Sequence, residues 1–128
     1  MKVSVFGNPD IKEDSLVVDL VPELRRRFKE VKFKVEDPSE GLKPPPADAG
    51  WVILDVAKGI EEVKVFEDLD KLESLRRVSL HDYEVGMELK LLKKLGKVGE
   101  LKIIAVPIRM KKERAMENIV RIIKKLIS

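Results

Sequence analysis

The chain of 128 residues contains no cysteine, no glutamine and no threonine, and only two asparagines, Asn8 and Asn118. The absence of cysteine excludes disulfides, thiolate metal sites and a cysteine nucleophile. Charged residues make up 38% of the chain and are mostly lysine and glutamate. Because few labile amides together with abundant lysine and glutamate are typical of hyperthermophile proteins, we expect a thermophilic source.

Long apolar runs are also missing. No run approaches the ~20 residues that a membrane span needs, so we expect no membrane association. The first residues, MKVSVFGN, lack the apolar segment and cleavage site of a signal peptide, and we therefore expect a cytoplasmic protein.

Aromatic residues are scarce, at 5% of the chain, and they do not interrupt the basic stretches of the C-terminal third. A nucleic-acid surface would combine clustered basic residues with stacking aromatics. The 26 basic and 23 acidic residues, a net charge of +3, therefore predict solvated helix faces and no nucleic-acid partner.

The length and an apolar content of 44% predict one folded domain over residues 1–128. Hydrophobic periodicity predicts an α/β fold: a three-layer sandwich with a mixed, mainly parallel sheet of about five strands and helices on both faces. We expect Pro22 to kink the first helix or to delay its start. The expected strands are 2–6, 31–35, 51–56, 62–66 and 101–108, and the expected helices are 13–28, 68–75, 84–95 and 113–127.

The short gap between strands 51–56 and 62–66 cannot hold a crossover helix, so these strands are expected to form an antiparallel hairpin at the sheet edge. The Pro-rich segment 36–50 is expected to be a loop. No apolar stripe is left over once helices and sheet are packed, which favours a monomer.

Three titratable residues follow strands or precede helices at one predicted edge of the sheet: Asp14, Asp55 and His81. Ligands of open α/β sheets bind outside the carboxyl ends of the strands. Two carboxylates and one imidazole suit a borderline divalent metal with open positions. Each residue also has a simpler interpretation: Asp14 complements a helix amino end, Asp55 caps a turn, and His81 lies at the surface.

Other catalytic patterns are absent from the sequence. A zinc-peptidase H-E-x-x-H motif needs two histidines, and the chain has one. No serine stands in a G-x-S-x-G elbow, and neither a G-x-G-x-x-G nor a P-loop pattern occurs.

The three candidate residues stand in segments that resemble a known family, the endopeptidases that mature the large subunit of nickel–iron hydrogenases. In VFGNPDIKED, Asn8 is followed six residues later by Asp14, which matches the family's first metal ligand. WVILDVAKG places Asp55 at the second ligand, and SLHDYEVGMEL places His81 at the third. The resemblance covers nearly the whole chain and implies a phosphorylase/hydrolase-like fold.

The resemblance implies an enzyme that recognises nickel already installed in the precursor of a hydrogenase large subunit and removes its C-terminal extension in one cleavage. Asp14, Asp55 and His81 would contact this nickel, which the substrate supplies, and Asp14 and Asp55 would be the catalytic carboxylates. The partner implied is the hydrogenase large-subunit precursor.

The sequence departs from the family pattern at three places. Val5 replaces the first glycine of G-x-G-N, Asp14 replaces the common glutamate, and EDPSEGLKPPP replaces a glycine-rich segment and keeps only Gly41. An alternative is therefore a divergent, non-proteolytic metal-binding or interaction domain of the same fold.

Overall fold

The computed structural model describes residues 1–7, 15–67, 79–80 and 83–128. The helix expected at 68–75 lies outside these ranges. The described strands are β1 (Lys2–Phe6), β2 (Lys32–Glu36), β3 (Trp51–Lys58), β4 (Lys64–Phe66), β5 (Ser79–Leu80) and β6 (Leu101–Pro107). The described helices are α1 (Ser15–Arg27), α2 (Tyr83–Lys94) and α3 (Lys112–Ile127). None of these helices is long and apolar enough to cross a membrane.

The strands form one mixed sheet in the order β2-β1-β3-β6-β4, with the short β5 paired to β3. Strands β2, β1, β3 and β6 are parallel, whereas β4 is antiparallel to β6 and β5 is antiparallel to β3. The predicted mixed, mainly parallel sheet is therefore confirmed.

The predicted hairpin between the third and fourth strands is wrong. β4 does lie at the sheet edge, but its partner is β6, which is inserted between β3 and β4. The β3–β6 pair joins seven residues of each strand, from Trp51 with Leu101 to Ala57 with Pro107. Pairing these two long apolar strands removes more apolar surface from water than pairing β3 with the three-residue β4 would.

The sheet is covered on both faces, as predicted. Val52, Leu54 and Val56 of β3 face α1 and α3, in one core cluster. Trp51, Ile53 and Ala57 face the opposite side, in a second cluster that includes Leu89 of α2. This alternation follows from the two-residue period of a strand, and both sets are buried because the strand is central.

Helix α1 begins at Ser15, well before Pro22, so its start is not delayed. Proline removes one backbone hydrogen bond from a helix interior. The helix runs through Pro22 to Arg27 because one face of it is packed on the sheet, with Leu16, Val17, Leu20, Val21 and Leu24 buried.

The sequence predicts that α2 stops at Gly96. In the structure Gly96 follows the last turn of the helix and has a φ of 73°. The Lys97 amide donates to the Leu92 carbonyl at 2.9 Å and the Gly96 amide to the Lys93 carbonyl at 3.1 Å. This pair of bonds is the Schellman arrangement, whose left-handed residue favours glycine.

The outer face of α2 carries an apolar stripe that we did not expect. Met87, Leu91 and Leu95 are 55%, 55% and 61% exposed and follow one another at four-residue spacing. Helical spacing predicts that Val85, Leu89, Leu92 and Leu95 share one buried face, but Leu95 belongs to this stripe instead. The argument for a monomer from the absence of a leftover apolar stripe is therefore wrong.

Gly99 allows the segment before β6 to pack against the turn Ala47–Ala49. A Cβ on Gly99 would collide with the carbonyl oxygen of Ala47. We expect Gly99→Ala to lower the free energy of unfolding by about 1–3 kcal/mol through overpacking, measured by urea denaturation. Gly96→Ala is the comparison, because it meets no atom within 4 Å and is strained only by its positive φ. A Gly99→Ala protein as stable as the unmodified chain would contradict this packing.

The indole nitrogen of Trp51 donates a buried hydrogen bond to the Ser4 hydroxyl at 2.9 Å. Ser4→Ala leaves this N–H without its partner, so we expect a loss of about 1–3 kcal/mol in the free energy of unfolding. In a Trp51→Phe background the same serine substitution should cost much less, because no donor remains. Equal costs of Ser4→Ala in both backgrounds, by denaturant titration, would show that the bond contributes nothing.

Candidate active site

Asp55 lies inside β3, not at its end. The sequence places Asp55 at the end of the apolar run, but the strand continues to Lys58. It continues because Val56 and Ala57 pair with Val106 and Pro107 of β6, while Ala57 and Lys58 also pair with β5. Asp55 itself is in register with Ala105.

The carboxylate of Asp55 is wholly buried, with an exposed fraction of 0%. By strand alternation it belongs to the α2 side of the sheet, together with Ile53 and Ala57. Its Oδ1 accepts a hydrogen bond from the Val56 amide at 2.8 Å. The pairing of β1 with β3 ends at Val5 and Leu54, so the Val56 amide lies beyond the last residue pair of these two strands.

Among the residues whose burial the structure describes, Ser4 and Asp55 are the buried polar ones, and Asp55 alone carries a charge. Removing a carboxylate from water is costly unless hydrogen bonds or a cation compensate. A hydrophobic residue at this position of a central strand would avoid that cost. The burial therefore makes Asp55 a candidate functional residue.

Asp14 and His81 lie outside the described residues, so no distance joins them to Asp55. Their described neighbours are informative. Ser15, which follows Asp14, is the first residue of α1. Leu80, which precedes His81, pairs with Ala57, two residues beyond Asp55. The ranges that the structure describes contain no group of three or more histidine, aspartate or glutamate side chains able to hold a metal, and two of the three predicted ligands fall outside them.

A groove of about 1210 Å³ opens at the carboxyl ends of β3 and β6. Its walls are formed by residues 57–61, by residues 107–111 and by Arg114 of α3. The Met110 amide donates to the Pro107 carbonyl at 3.1 Å, and the Ile108 amide to the Ala57 carbonyl at 3.2 Å, which holds the second wall against the first. Ala57 belongs to the groove, and Asp55 lies two residues behind it, roughly 7 Å along the strand at ~3.3 Å per residue.

Sequence reasoning missed the basic residues of this groove, Lys58, Arg109, Lys111 and Arg114. The stretch RMKKER was interpreted as a solvated helix face because its spacing is helical. The rule that ligands bind beyond the carboxyl ends of strands would have selected residues 107–111, which follow a buried strand.

No protein-family model and no curated protein matches the sequence. Solved structures do match it. The NiFe hydrogenase maturation protease HybD from Thermococcus kodakarensis is 18% identical, with a TM-score of 0.67, and 100% of each chain is covered.

Two further structures agree. A Hydrogenase 3 maturation protease is 16% identical over 94% of this chain and 87% of its own, with a TM-score of 0.59. The hydrogenase maturating endopeptidase HybD from E. coli is 14% identical over 98% of this chain and 93% of its own, with a TM-score of 0.55. The fold implied by the sequence resemblance is thereby confirmed: the chain has the fold of the hydrogenase maturation proteases.

Proposed function

We propose that this protein is an endopeptidase that recognises nickel in the precursor of a nickel–iron hydrogenase large subunit and removes its C-terminal extension in a single cleavage. The observation that carries the proposal is the wholly buried carboxylate of Asp55 inside a central strand of a maturation-protease fold. The motifs around Asp14 and His81 support it, because they occur in the family's order.

In this proposal Asp14, Asp55 and His81 bind the nickel that the substrate carries. Two carboxylate oxygens and one imidazole nitrogen form a donor set suited to a borderline divalent ion. A cation that approaches Asp55 compensates the cost of burying its charge, so the site distinguishes a nickel-loaded precursor from an empty one. Nickel thus serves as the recognition signal.

Cleavage needs a water molecule that attacks the carbonyl carbon of the scissile peptide bond. Asp14 and Asp55 are the proposed carboxylates for accepting the proton of that water, as a general base within hydrogen-bond reach. The C–N bond then breaks and the proton passes to the leaving amine. We further propose that the enzyme acts in the cytoplasm on the large-subunit precursor.

The direct test incubates the purified protein with a nickel-loaded hydrogenase precursor and with the same precursor lacking nickel. Mass spectrometry of the precursor should show loss of one C-terminal fragment from the loaded form only. Equal cleavage of both forms would reject nickel as the signal. An intact loaded precursor, under conditions where nickel binds the protein, would instead support the non-proteolytic metal-binding alternative.

Asp14→Asn, Asp55→Asn and His81→Ala should each lower the cleavage rate by at least about 100-fold, because each removes a nickel ligand or a general base. The matched control is Asp48→Asn, an exposed aspartate of the turn Ala47–Ala49, which should cleave like the unmodified protein. A fully active Asp55→Asn protein would remove Asp55 from the mechanism.

The stability of two Asp55 variants separates a lost ligand from a lost fold. Asn keeps an Oδ1 that can accept the hydrogen bond of the Val56 amide, whereas Ala does not. We therefore expect Asp55→Ala to be less stable than Asp55→Asn by about 1–3 kcal/mol in urea denaturation. If Asp55→Asn proves the less stable of the two, the hydrogen bond is not what the side chain contributes to folding.

A further inference from the structure

The strand-end groove concentrates the positive charge of the chain. Four of its eleven lining residues are basic, Lys58, Arg109, Lys111 and Arg114, and one is acidic, Glu61. Taking these five from the 26 basic and 23 acidic residues of the whole chain leaves 22 of each sign. The described lining of the groove therefore carries a net charge of +3 by residue count.

Three of the four basic side chains in the described lining are available to a ligand. Arg109, Lys111 and Arg114 are exposed, and none of the three forms an ion pair with another residue in the described part of the chain. By contrast Lys112, which does not line the groove, pairs with Asp19 at 3.2 Å. Four basic residues against the one acidic residue, Glu61, in the described lining raise the local potential and attract an anionic partner.

The amino end of α3 adds to this field. Helices favour acidic residues at that end, where the backbone N–H groups carry partial positive charge. Here α3 follows Lys111 and begins with Lys112, and Lys111, its N-cap, makes no side-chain cap hydrogen bond. Glu113 provides one acidic residue in the first turn, so the two lysines oppose helix stability only in part.

The remaining six residues of the described lining are uncharged. They are Gly59 and the apolar Ala57, Ile60, Pro107, Ile108 and Met110, and none of the eleven described lining residues is aromatic. A volume of about 1210 Å³ exceeds the roughly 300–1,000 Å³ of small-molecule pockets. A second hollow of about 480 Å³ shares Met110 and Arg114 with the groove, along α3.

These features fit a polypeptide better than a nucleic acid. Single-stranded nucleic acids are held by aromatic side chains on which bases stack, and none of the described residues that line this groove is aromatic. Apolar walls with a cationic rim are complementary to a chain that presents both apolar side chains and carboxylates.

We propose that this groove binds an extended segment of the protein substrate in which acidic residues stand among apolar ones. The inference rests on the proposed endopeptidase function and names the part of the substrate that docks beside Asp55. Ala57 joins the two regions, because it lines the groove and lies two residues beyond Asp55 on the same face of β3. The groove would hold the precursor while its nickel reaches the carboxylate.

The test measures binding of a fluorescein-labelled peptide in which Asp alternates with Val and Leu, by fluorescence anisotropy. Arg109→Glu/Lys111→Glu should weaken binding by about ten-fold or more, because two attractions become two repulsions. This variant should fold, since acids are favoured at a helix amino end. The same peptide with Asn in place of Asp should bind the unmodified protein weakly. Added salt should weaken the binding of the acidic peptide, because it screens the attraction between charges.

The matched control is Lys124→Glu/Lys125→Glu, which changes the net charge equally at two exposed positions in the last turn of α3, outside the groove. It should leave peptide binding unchanged. Equal loss in this control, or no loss in the groove variant, would overturn the proposal. So would a single-stranded oligonucleotide of the same charge that competes as well as the peptide.

Precursor cleavage reports separately on the function. Suppose that the unmodified protein cleaves the loaded precursor, and that the groove variant has the same peptide affinity and the same KM for cleavage. In that case only the groove inference fails. If the peptide binds in a groove-dependent manner and no precursor is cleaved, the groove stands as an acidic-peptide site and the endopeptidase proposal fails.

Discussion

The pairing of β3 with β6 is the constraint on which the rest of the structure depends. Seven residue pairs join two strands that are buried almost throughout, at the centre of the sheet. Their burial on both faces requires helices on both sides, which α1, α3 and α2 provide. The same pairing excludes β4 from β3 and moves it to the far edge. It also brings the turn after β3 and the loop before α3 together, which creates the groove.

This arrangement buries the carboxyl group of Asp55 in a central strand, where a hydrophobic side chain would be more stable. Asp55 stands between apolar residues of β3, in register with Ala105, and is wholly buried. A buried carboxylate costs free energy unless it is compensated. One compensation in the structure is the hydrogen bond from the Val56 amide, at 2.8 Å. In the proposed function, a cation delivered by the substrate would compensate the charge further, and this dependence would make the site selective for a nickel-loaded precursor.

Local patterns were sufficient to predict most elements. Continuous apolar runs identified β3 and β6, helical spacing identified α3, and Gly96 identified the end of α2. The partner of β4 could not be predicted from the sequence. Closeness along the chain favours a hairpin of β3 and β4, but β3 pairs instead with β6, which lies about forty residues further along the chain. The charge of Asp55 interrupts the apolar run of β3 and therefore predicts a strand end there. Pairing with strands on both sides extends β3 past this residue.

The groove shows a second limit of sequence reasoning. Lys58 and Arg109 are far apart in the chain and meet only because Ala57 pairs with Pro107. The basic stretches of the C-terminal third predict solvated helix faces, whereas the fold gathers part of this charge in one groove. The exposed stripe of α2 was missed for a related reason, because helical spacing alone assigned Leu95 to the buried face of Leu89.

The most direct test of the central claim is a crystal structure of the protein grown with Ni²⁺ or Cd²⁺. The account predicts one ion bound jointly by Asp14, Asp55 and His81, with each donor atom about 2.0–2.2 Å from the metal for nickel, as for other divalent ions with nitrogen and oxygen ligands. An ion bound elsewhere, or Asp55 and His81 on opposite sides of the sheet, would contradict it.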